Sequence, residues 1–308
     1  MKVLGFCCGR KNGNTEIMMK ELFMAIEEKC GAQCQLVRMQ DAEVNTCIGC
    51  ETCMTNHLKG NFDFRCVHKN GTDHVYFIEQ LMREADAIIV SSPAYNLLPT
   101  GALIKFLNKM HATGDYREVV HKNHKVGAAF SLGGTDWTNF TLSTCKMVAM
   151  EMCGSYDSLV DAVHFDFMPS SGAVLLEDDV LERMHLMGEN IANALMAKAE
   201  GKAYDYIGTP GVCPDCHGNL LEIREDGWYC PQCNTKADVS MTDGRVTVSF
   251  SEAERAKNRW NPWGQELHDN NIRRGHKKAF DNKETIQEKR KKYVAYERAV
   301  ELPELVKK

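Results

Sequence analysis

Residues 2–15 read Lys2-Val-Leu-Gly-Phe-Cys-Cys-Gly-Arg-Lys-Asn-Gly-Asn-Thr15: an apolar run, a turn of small and polar residues, and the opening of a helix. Lys2–Phe6 suits a strand, and the pattern from Thr15 to about Lys29 is helical. The same alternation continues outward to about Glu200. Gln35–Arg38, Ala87–Ser91, Lys125–Phe130 and Ser158–Val163 predict four more strands, the β-branched Ala-Ile-Ile-Val-Ser run being the clearest. Helical patterns at Val75–Glu84, Gly101–His111, Thr138–Met152 and Asp178–Ala199 lie between or after them. Five near-continuous apolar strands alternating with helices predict an α/β fold, a parallel sheet covered on both faces.

The chain has 308 residues, 44% hydrophobic and 26% charged, a globular composition that excludes wholesale disorder. After Gly201 the character changes, which divides the chain into an α/β domain over 1–202, a cysteine-rich module over 203–250 and a polar, helical tail over 251–308. The tail carries 15 Lys/Arg against 10 Asp/Glu, whereas the whole chain has a net charge of −5. The apolar run at the start is too short for a signal peptide, and no stretch of about 18 apolar residues exists to span a membrane. A cytoplasmic location is therefore expected, where closely spaced thiols are ligands more often than disulfides. The chain has 14 cysteines, and eight of them fall into two groups of four.

The turn Cys7-Cys8-Gly9-Arg10-Lys11-Asn12-Gly13-Asn14-Thr15 offers backbone N–H groups, a helix dipole and the Arg10 charge to an anion. It lacks G-x-G-x-x-G and the Walker pattern. A helix start capped by Asn14 or Thr15 is the alternative. Two further loops follow strands: Ser91-Ser-Pro93-Ala94-Tyr95-Asn96-Leu97-Leu-Pro99 and Ser131-Leu-Gly133-Gly134-Thr-Asp-Trp137. Ligands of open α/β sheets bind beyond the carboxyl ends of strands. A proline loop with an aromatic, and a Gly-Gly loop that lets backbone approach closely, suit a flat ring system.

G-x-x-x-x-R-x-x-G-N-T after the first strand, S-P-x-Y-N after the third and G-G after the fourth resemble the NAD(P)H-dependent FMN reductases of the flavodoxin-like superfamily. The resemblance covers about residues 1–200. It implies a doubly wound five-stranded sheet of order 2-1-3-4-5, an FMN phosphate held by Arg10, Asn14 and Thr15, and an isoalloxazine bordered by Pro93, Ala94, Tyr95, Asn96, Leu97, Gly133 and Gly134. Cys8 belongs to the same phosphate set, standing where these proteins usually carry serine; a thiol is a weaker donor than a hydroxyl. Dimers or larger homo-oligomers are a further implication of the family.

Cys47-Ile-Gly-Cys50-Glu-Thr-Cys53 is a C-x2-C-x2-C run, which can hold three corners of a cubane cluster. Between the second strand and the next helix it resembles the iron–sulfur flavoproteins, which carry a [4Fe–4S] cluster beside FMN. Their fourth cysteine follows closely; here Cys66 is the choice, with twelve residues between it and Cys53, and His57 is the outsider. Thiols that merely line the flavin pocket are the alternative.

Cys213-Pro-Asp-Cys216 and Cys230-Pro-Gln-Cys233 are two knuckles thirteen residues apart, with Asp226-Gly227 as the hairpin turn between them. The pattern resembles a zinc ribbon, with a rubredoxin-like iron as competitor. Four cysteines leave no open position, so the metal's role is structural. Arg273-Arg274 and Lys289–Lys292 make the tail basic, but interleaved acids and the negative remainder of the chain argue against nucleic acid. Trp260-Asn-Pro-Trp263 suggests that the tail docks on an apolar surface.

The resulting expectation is a cytoplasmic FMN-dependent oxidoreductase. It would pass electrons from NAD(P)H or a ferredoxin-type donor, via the cluster, to a small organic or quinone-like acceptor. Tyr95 is the best-placed proton donor, ahead of His111 and His164. The alternatives are a cluster-free NAD(P)H:FMN or quinone reductase, and a flavin redox sensor that uses ribbon and tail to bind a partner or DNA.

Overall fold

The structure is a computed structural model that describes residues 1–67, 73–166, 170–296 and 298–300. In chain order the first part comprises β1 (Lys2–Cys7), α1 (Asn14–Cys30), β2 (Gln33–Arg38), α2 (Thr52–Leu58), α3 (Val75–Glu84), β3 (Ala87–Tyr95), β4 (Leu98–Pro99), α4 (Gly101–Lys109), α5 (Tyr116–Lys122), β5 (Val126–Leu132), α6 (Thr141–Cys153), β6 (Leu159–Phe165) and α7 (Asp178–Ala199). The main path of the sheet is β2-β1-β3-β5-β6, with every neighbour parallel, and β4 pairs antiparallel with the end of β3. Apart from that two-residue strand, this is the expected 2-1-3-4-5 order.

Alternation along the strands explains why helices cover both faces. Val3, Ala87, Ile89, Val126 and Ala128 pack with Met18, Leu22 and Ile26 of α1 and Met187 and Ile191 of α7. Leu4, Phe6, Ile88, Val90 and Ala129 pack with α3, α4 and the buried face of α6. Gly188 of α7 sits so close to α1 that a Cβ there would lie 2.4 Å from the Leu22 carbonyl oxygen. Asp161, buried in β6, accepts from Arg183 (2.6 and 3.0 Å) and Asn190 (3.0 Å) and fastens α7 to the sheet.

The cysteine-rich module is a four-stranded antiparallel sheet of order β10-β9-β8-β7, formed by β7 (Glu222–Arg224), β8 (Gly227–Cys230), β9 (Thr235–Thr242) and β10 (Arg245–Ser249). Arg224 pairs with Gly227, so the turn residues are Glu225 and Asp226, one position earlier than expected. The helix α8 (Glu252–Arg255) follows, its first turn capped by Ser251.

By contacts the chain divides into two units at Asn261/Pro262, inside the segment expected as the tail. Trp260 shows why. Its indole is buried and its Nε1 donates to the Gln232 carbonyl (3.1 Å), so the start of the expected tail is part of the module. The second unit holds α9 (Pro262–Asp281) and α10 (Lys283–Val294), whose residues are mostly exposed, including the apolar Leu267, Phe280 and Ile286, while Gly264 is buried. Trp263 belongs to this unit and is half-exposed. Residues 301–308 of the expected tail lie outside the described residues. No helix among the described residues is long and apolar enough to cross a membrane.

Glu16 ties the first turn together. Fully buried, it accepts from Arg38 Nε (2.7 Å) and Nη2 (2.9 Å) on β2, and from Lys20 (2.7 Å). The Arg38 guanidinium above all, with Lys20 and the Asn12 N–H, holds its carboxyl down at about 2 despite burial. A group whose folded value lies below its unfolded one stabilises the fold above the unfolded value and loses that contribution as pH falls through the folded one. Glu16→Gln should therefore cost about 2–3 kcal/mol in urea melts at pH 7. The gap from wild type should close progressively as pH falls through the window from about 4 to about 2.

Candidate functional site

At the end of β1 the Cys8 N–H donates to the Ser91 carbonyl (3.0 Å), and the chain turns over the sheet edge through Gly9–Gly13. Asn12 is left-handed (φ 56°), and the Gly13 N–H closes back on the Arg10 carbonyl (3.0 Å). The helix cap is Gly13, not the expected Asn14 or Thr15: its backbone is extended and its carbonyl accepts from Glu16 and Ile17, both at 3.0 Å. A Cβ on Gly9 would lie 2.5 Å from Thr15 Oγ1, and one on Gly13 2.7 Å from Arg10 Cγ, so a side chain at either position would displace Thr15 or Arg10. Asn14 instead bridges to the loop after β6, with Nδ2 donating to the Ser170 carbonyl (2.8 Å).

Ser91–Pro99 is not the loop expected from sequence. β3 runs on to Tyr95 and returns as β4, with Ala94 opposite Pro99 and Tyr95 opposite Leu98. The connecting Asn96 and Leu97 are both left-handed (φ 51° and 73°), the geometry of a two-residue hairpin of mirror type. The Leu97 carbonyl is held by the Phe140 N–H and Thr141 Oγ1, each at 3.1 Å. On the next strand the Gly133 N–H donates to the Phe165 carbonyl (2.8 Å), and a Cβ on Gly133 would lie 2.1 Å from Thr138 Cγ2. Thr138 Oγ1 donates to Asp166 (3.1 Å), Asp166 is 2.9 Å from His164 Nε2, and His164 Nδ1 is 2.6 Å from Ser131 Oγ. His164 is thus fully engaged in bracing the strand ends.

These loops enclose one open cleft of about 250 Å³. It brings together Arg10, Asn14 and Thr15 from the turn, Pro93, Ala94 and Tyr95 from the hairpin, and Gly133 with Gly134. Cys8, Asn96 and Leu97 do not line it. The Cys8 thiol is fully buried among the core residues and burial pushes its pKa well up, so only its backbone stays near the turn. Cys7 is likewise buried, its thiol raised to about 11 by burial. Tyr95 stands at the rim, 56% exposed. Ser170 and Ser171 line the cleft although sequence reading did not select them; Ser-Ser-Gly172 after a strand is the signal that could have found them.

The two cysteine groups differ in geometry. Cys47, Cys50, Cys53 and Cys66 line one small pocket, so the long connection does bring Cys66 to the other three. The Cys66 N–H donates to the Tyr76 hydroxyl (2.6 Å). Hydrogen bonds from Thr52 hold the Cys50 thiol below its ordinary range, whereas burial raises that of Cys53. At the pocket wall the Lys109 ammonium is buried, 3.2 Å from Asp73 Oδ2. His57 does not line this pocket; it lies 3.2 Å from Glu118. His111 lines it beside Lys109.

Cys213, Cys216, Cys230 and Cys233 are all buried, with their sulfurs within 4.8 Å of one another. Cys213 and Cys233 are 4.0 Å apart, and Cys216 and Cys230 3.5 Å. Four thiolates at about 2.3 Å from a tetrahedral ion would stand about 3.8 Å apart, so this group fits a single metal ion. Among the described residues it alone gathers three or more such ligand atoms that closely.

Residues 1–152 match the family model of the NADPH-dependent FMN reductases. The flavone synthase of Aspergillus candidus is 26% identical over 82% of this chain and 83% of its own length. An iron–sulfur flavoprotein of Methanocaldococcus jannaschii is 31% identical over 44% of this chain, a match that spans 63% of that protein. Among solved structures, a flavone reductase superposes with a TM-score of 0.77 at 22% identity, covering 99% of this chain and 100% of its own, a likeness in fold.

The tightest approach in the cleft gives a direct check. Gly133→Ala must push Thr138 off Asp166 or move the glycine loop, so it should weaken FMN binding by about 10-fold or more in a fluorescence titration. Unchanged affinity would mean that the loop does not border the flavin. On the family match over residues 1–152 and the sheet that carries the cleft, this α/β domain is similar to the NADPH-dependent FMN reductases, and the chain is a flavin-dependent oxidoreductase of flavodoxin-like fold.

Proposed function

We propose that the chain reduces a small planar aromatic acceptor of the flavone or quinone type, using FMN held in the cleft and electrons supplied by NAD(P)H. The observation that carries this reading is the shape of the cleft: an anion-binding turn at one end and flat backbone along its sides. The fit is local and chemical. Gly9, Gly13, Gly133 and Gly134 line the cleft with bare backbone, and Arg10 with the first turn of α1 supplies positive charge where a phosphate dianion would lie. Arg10, Asn14 and Thr15 would hold the phosphate, while Pro93, Ala94, Tyr95, Gly133 and Gly134 would flank the ring. Bound there, FMN supplies the step between two-electron and one-electron chemistry. Tyr95, at the open rim, is placed to give a proton to a reduced acceptor. Two relatives with flavone in their names support the acceptor class.

The four thiols around Lys109 support a [4Fe–4S] cluster held by Cys47, Cys50, Cys53 and Cys66. They share one pocket without closing to the spacing of a single ion, as expected where each thiolate binds a different iron, and the buried ammonium offsets their negative charge. Zinc fits the closed second group better than a redox iron, because those sulfurs are sealed in the interior of a minimal ribbon.

Anaerobically purified protein tests the reading in one preparation. The expected result is about one FMN, about four irons with matching sulfide and about one zinc per chain. With a flavone as acceptor, about one NADPH should be consumed per acceptor reduced. Iron below about two per chain would leave a cluster-free reductase. FMN-loaded protein that oxidises NADPH with neither flavones nor quinones would refute the acceptor class.

A further inference from the structure

One helix joins the closed tetrathiolate group to the cleft. At its start, the Phe140 N–H and Thr141 Oγ1 grip the Leu97 carbonyl of the cleft hairpin, each at 3.1 Å. Two residues on, the Ser143 carbonyl accepts from Gln232 Nε2, and Gln232 lies between Cys230 and Cys233 in the second knuckle. One turn further, the buried Lys146 ammonium donates to the carbonyl of His217, which directly follows Cys216 in the first knuckle (2.5 Å). Both knuckles are therefore tied to the turns of α6 that begin at the hairpin.

The knuckles are themselves braced. The Gln232 carbonyl accepts from the buried Trp260 indole (3.1 Å). Asp215 of the first knuckle holds Arg255 Nε (2.8 Å) and Asn258 Nδ2 (2.9 Å), and the His217 ring stacks on Tyr206 at 3.6 Å. The hairpin needs such support. Asn96 and Leu97 are consecutive non-glycine residues in the left-handed region, and such conformations persist only where surrounding contacts over-determine them. Their carbonyl contact to α6 is the one that the ribbon sits behind.

We infer that the metal-loaded ribbon positions the Asn96–Leu97 hairpin through α6, with Gln232 and Lys146 as positioning residues, so that metal at the four cysteines sets how tightly the cleft closes on its flavin. The inference takes the cleft as the flavin site, as proposed above. The metal would fix the spacing of the two knuckles, the knuckles fix the first two turns of α6, and α6 fixes the Leu97 carbonyl. Neither Gln232 nor Lys146 is a ligand or lines the cleft, so each can be changed without touching metal or flavin directly.

The test uses full-length protein carrying Gln232→Ala, with Lys146→Met as the companion from the other knuckle. Three quantities are read: metal content per chain, amide exchange over residues 94–98, and FMN affinity by fluorescence titration. The expected outcome is wild-type metal content, faster exchange over 94–98 and FMN affinity about 10-fold weaker. Wild-type exchange and wild-type affinity in both variants, with metal retained, would overturn the inference. Should neither variant fold, wild-type protein stripped of metal by a chelator serves instead. Hairpin exchange that rises and is reversed by added zinc supports the coupling, and exchange that ignores the metal sinks it. Failure of wild-type protein to bind FMN would instead refute the reading of the cleft, because the exchange measurement reads the coupling without any flavin.

Discussion

The first turn of a helix leaves backbone N–H groups without carbonyl partners, and at α1 those groups face the carboxyl edge of the sheet, beside the cleft. The rest of the edge is arranged around that electropositive start. Gly9 and Gly13 let the chain turn tightly enough to place it, and Glu16, locked to Arg38 and Lys20, fixes its direction from below. Asn14 binds the turn to the loop after β6, while the hairpin and the Gly133 loop close the other sides. In the proposed reading such a turn needs no catalytic triad beside it, because a bound flavin would carry the chemistry and the protein would supply placement.

The two thiol groups show how the same residue serves different ends. In the ribbon, four sulfurs are drawn together in the interior at the spacing of one tetrahedral ion, and the small four-stranded sheet has little apolar core of its own to hold it otherwise. Around Lys109 the thiols remain partly open, and the buried Lys109–Asp73 pair supplies a fixed charge at the wall. The remaining six thiols are free; Cys7, Cys8, Cys145 and Cys153 are buried in the core and Cys30 and Cys34 are half-buried. Burial holds the Cys145 and Cys153 thiols up at about 12, which keeps them inert.

Much of this was legible in the sequence because it depends on local pattern. Apolar runs such as Ala87–Val90 and the helical periodicity between them give the strand–helix alternation, while the order of the sheet is what the resemblance of the turn motifs implies. The knuckles are equally legible, since C-P-x-C spacing dictates which sulfurs can meet. The hairpin was not, because Asn96-Leu97 adopts left-handed backbone without the glycine that usually announces it, and its support comes from α6, more than forty residues away. The burial of Cys8 was hidden for a related reason. A turn residue reads as ligand-facing, yet here Cys8 continues the Leu4–Phe6 alternation of β1 and its side chain enters the core beside Cys145. The boundary at Asn261 depends on Trp260 finding the Gln232 carbonyl, a tertiary contact that composition cannot reveal.

The central claim is that the α1 turn holds the phosphate of FMN. It is tested most directly by titrating deflavinated protein with FMN and with riboflavin, which share the ring and differ in the phosphate. Charge-assisted hydrogen bonds to a phosphate contribute enough that FMN should bind about 100-fold more tightly than riboflavin. Equal affinities for the two flavins would contradict the assignment of the turn.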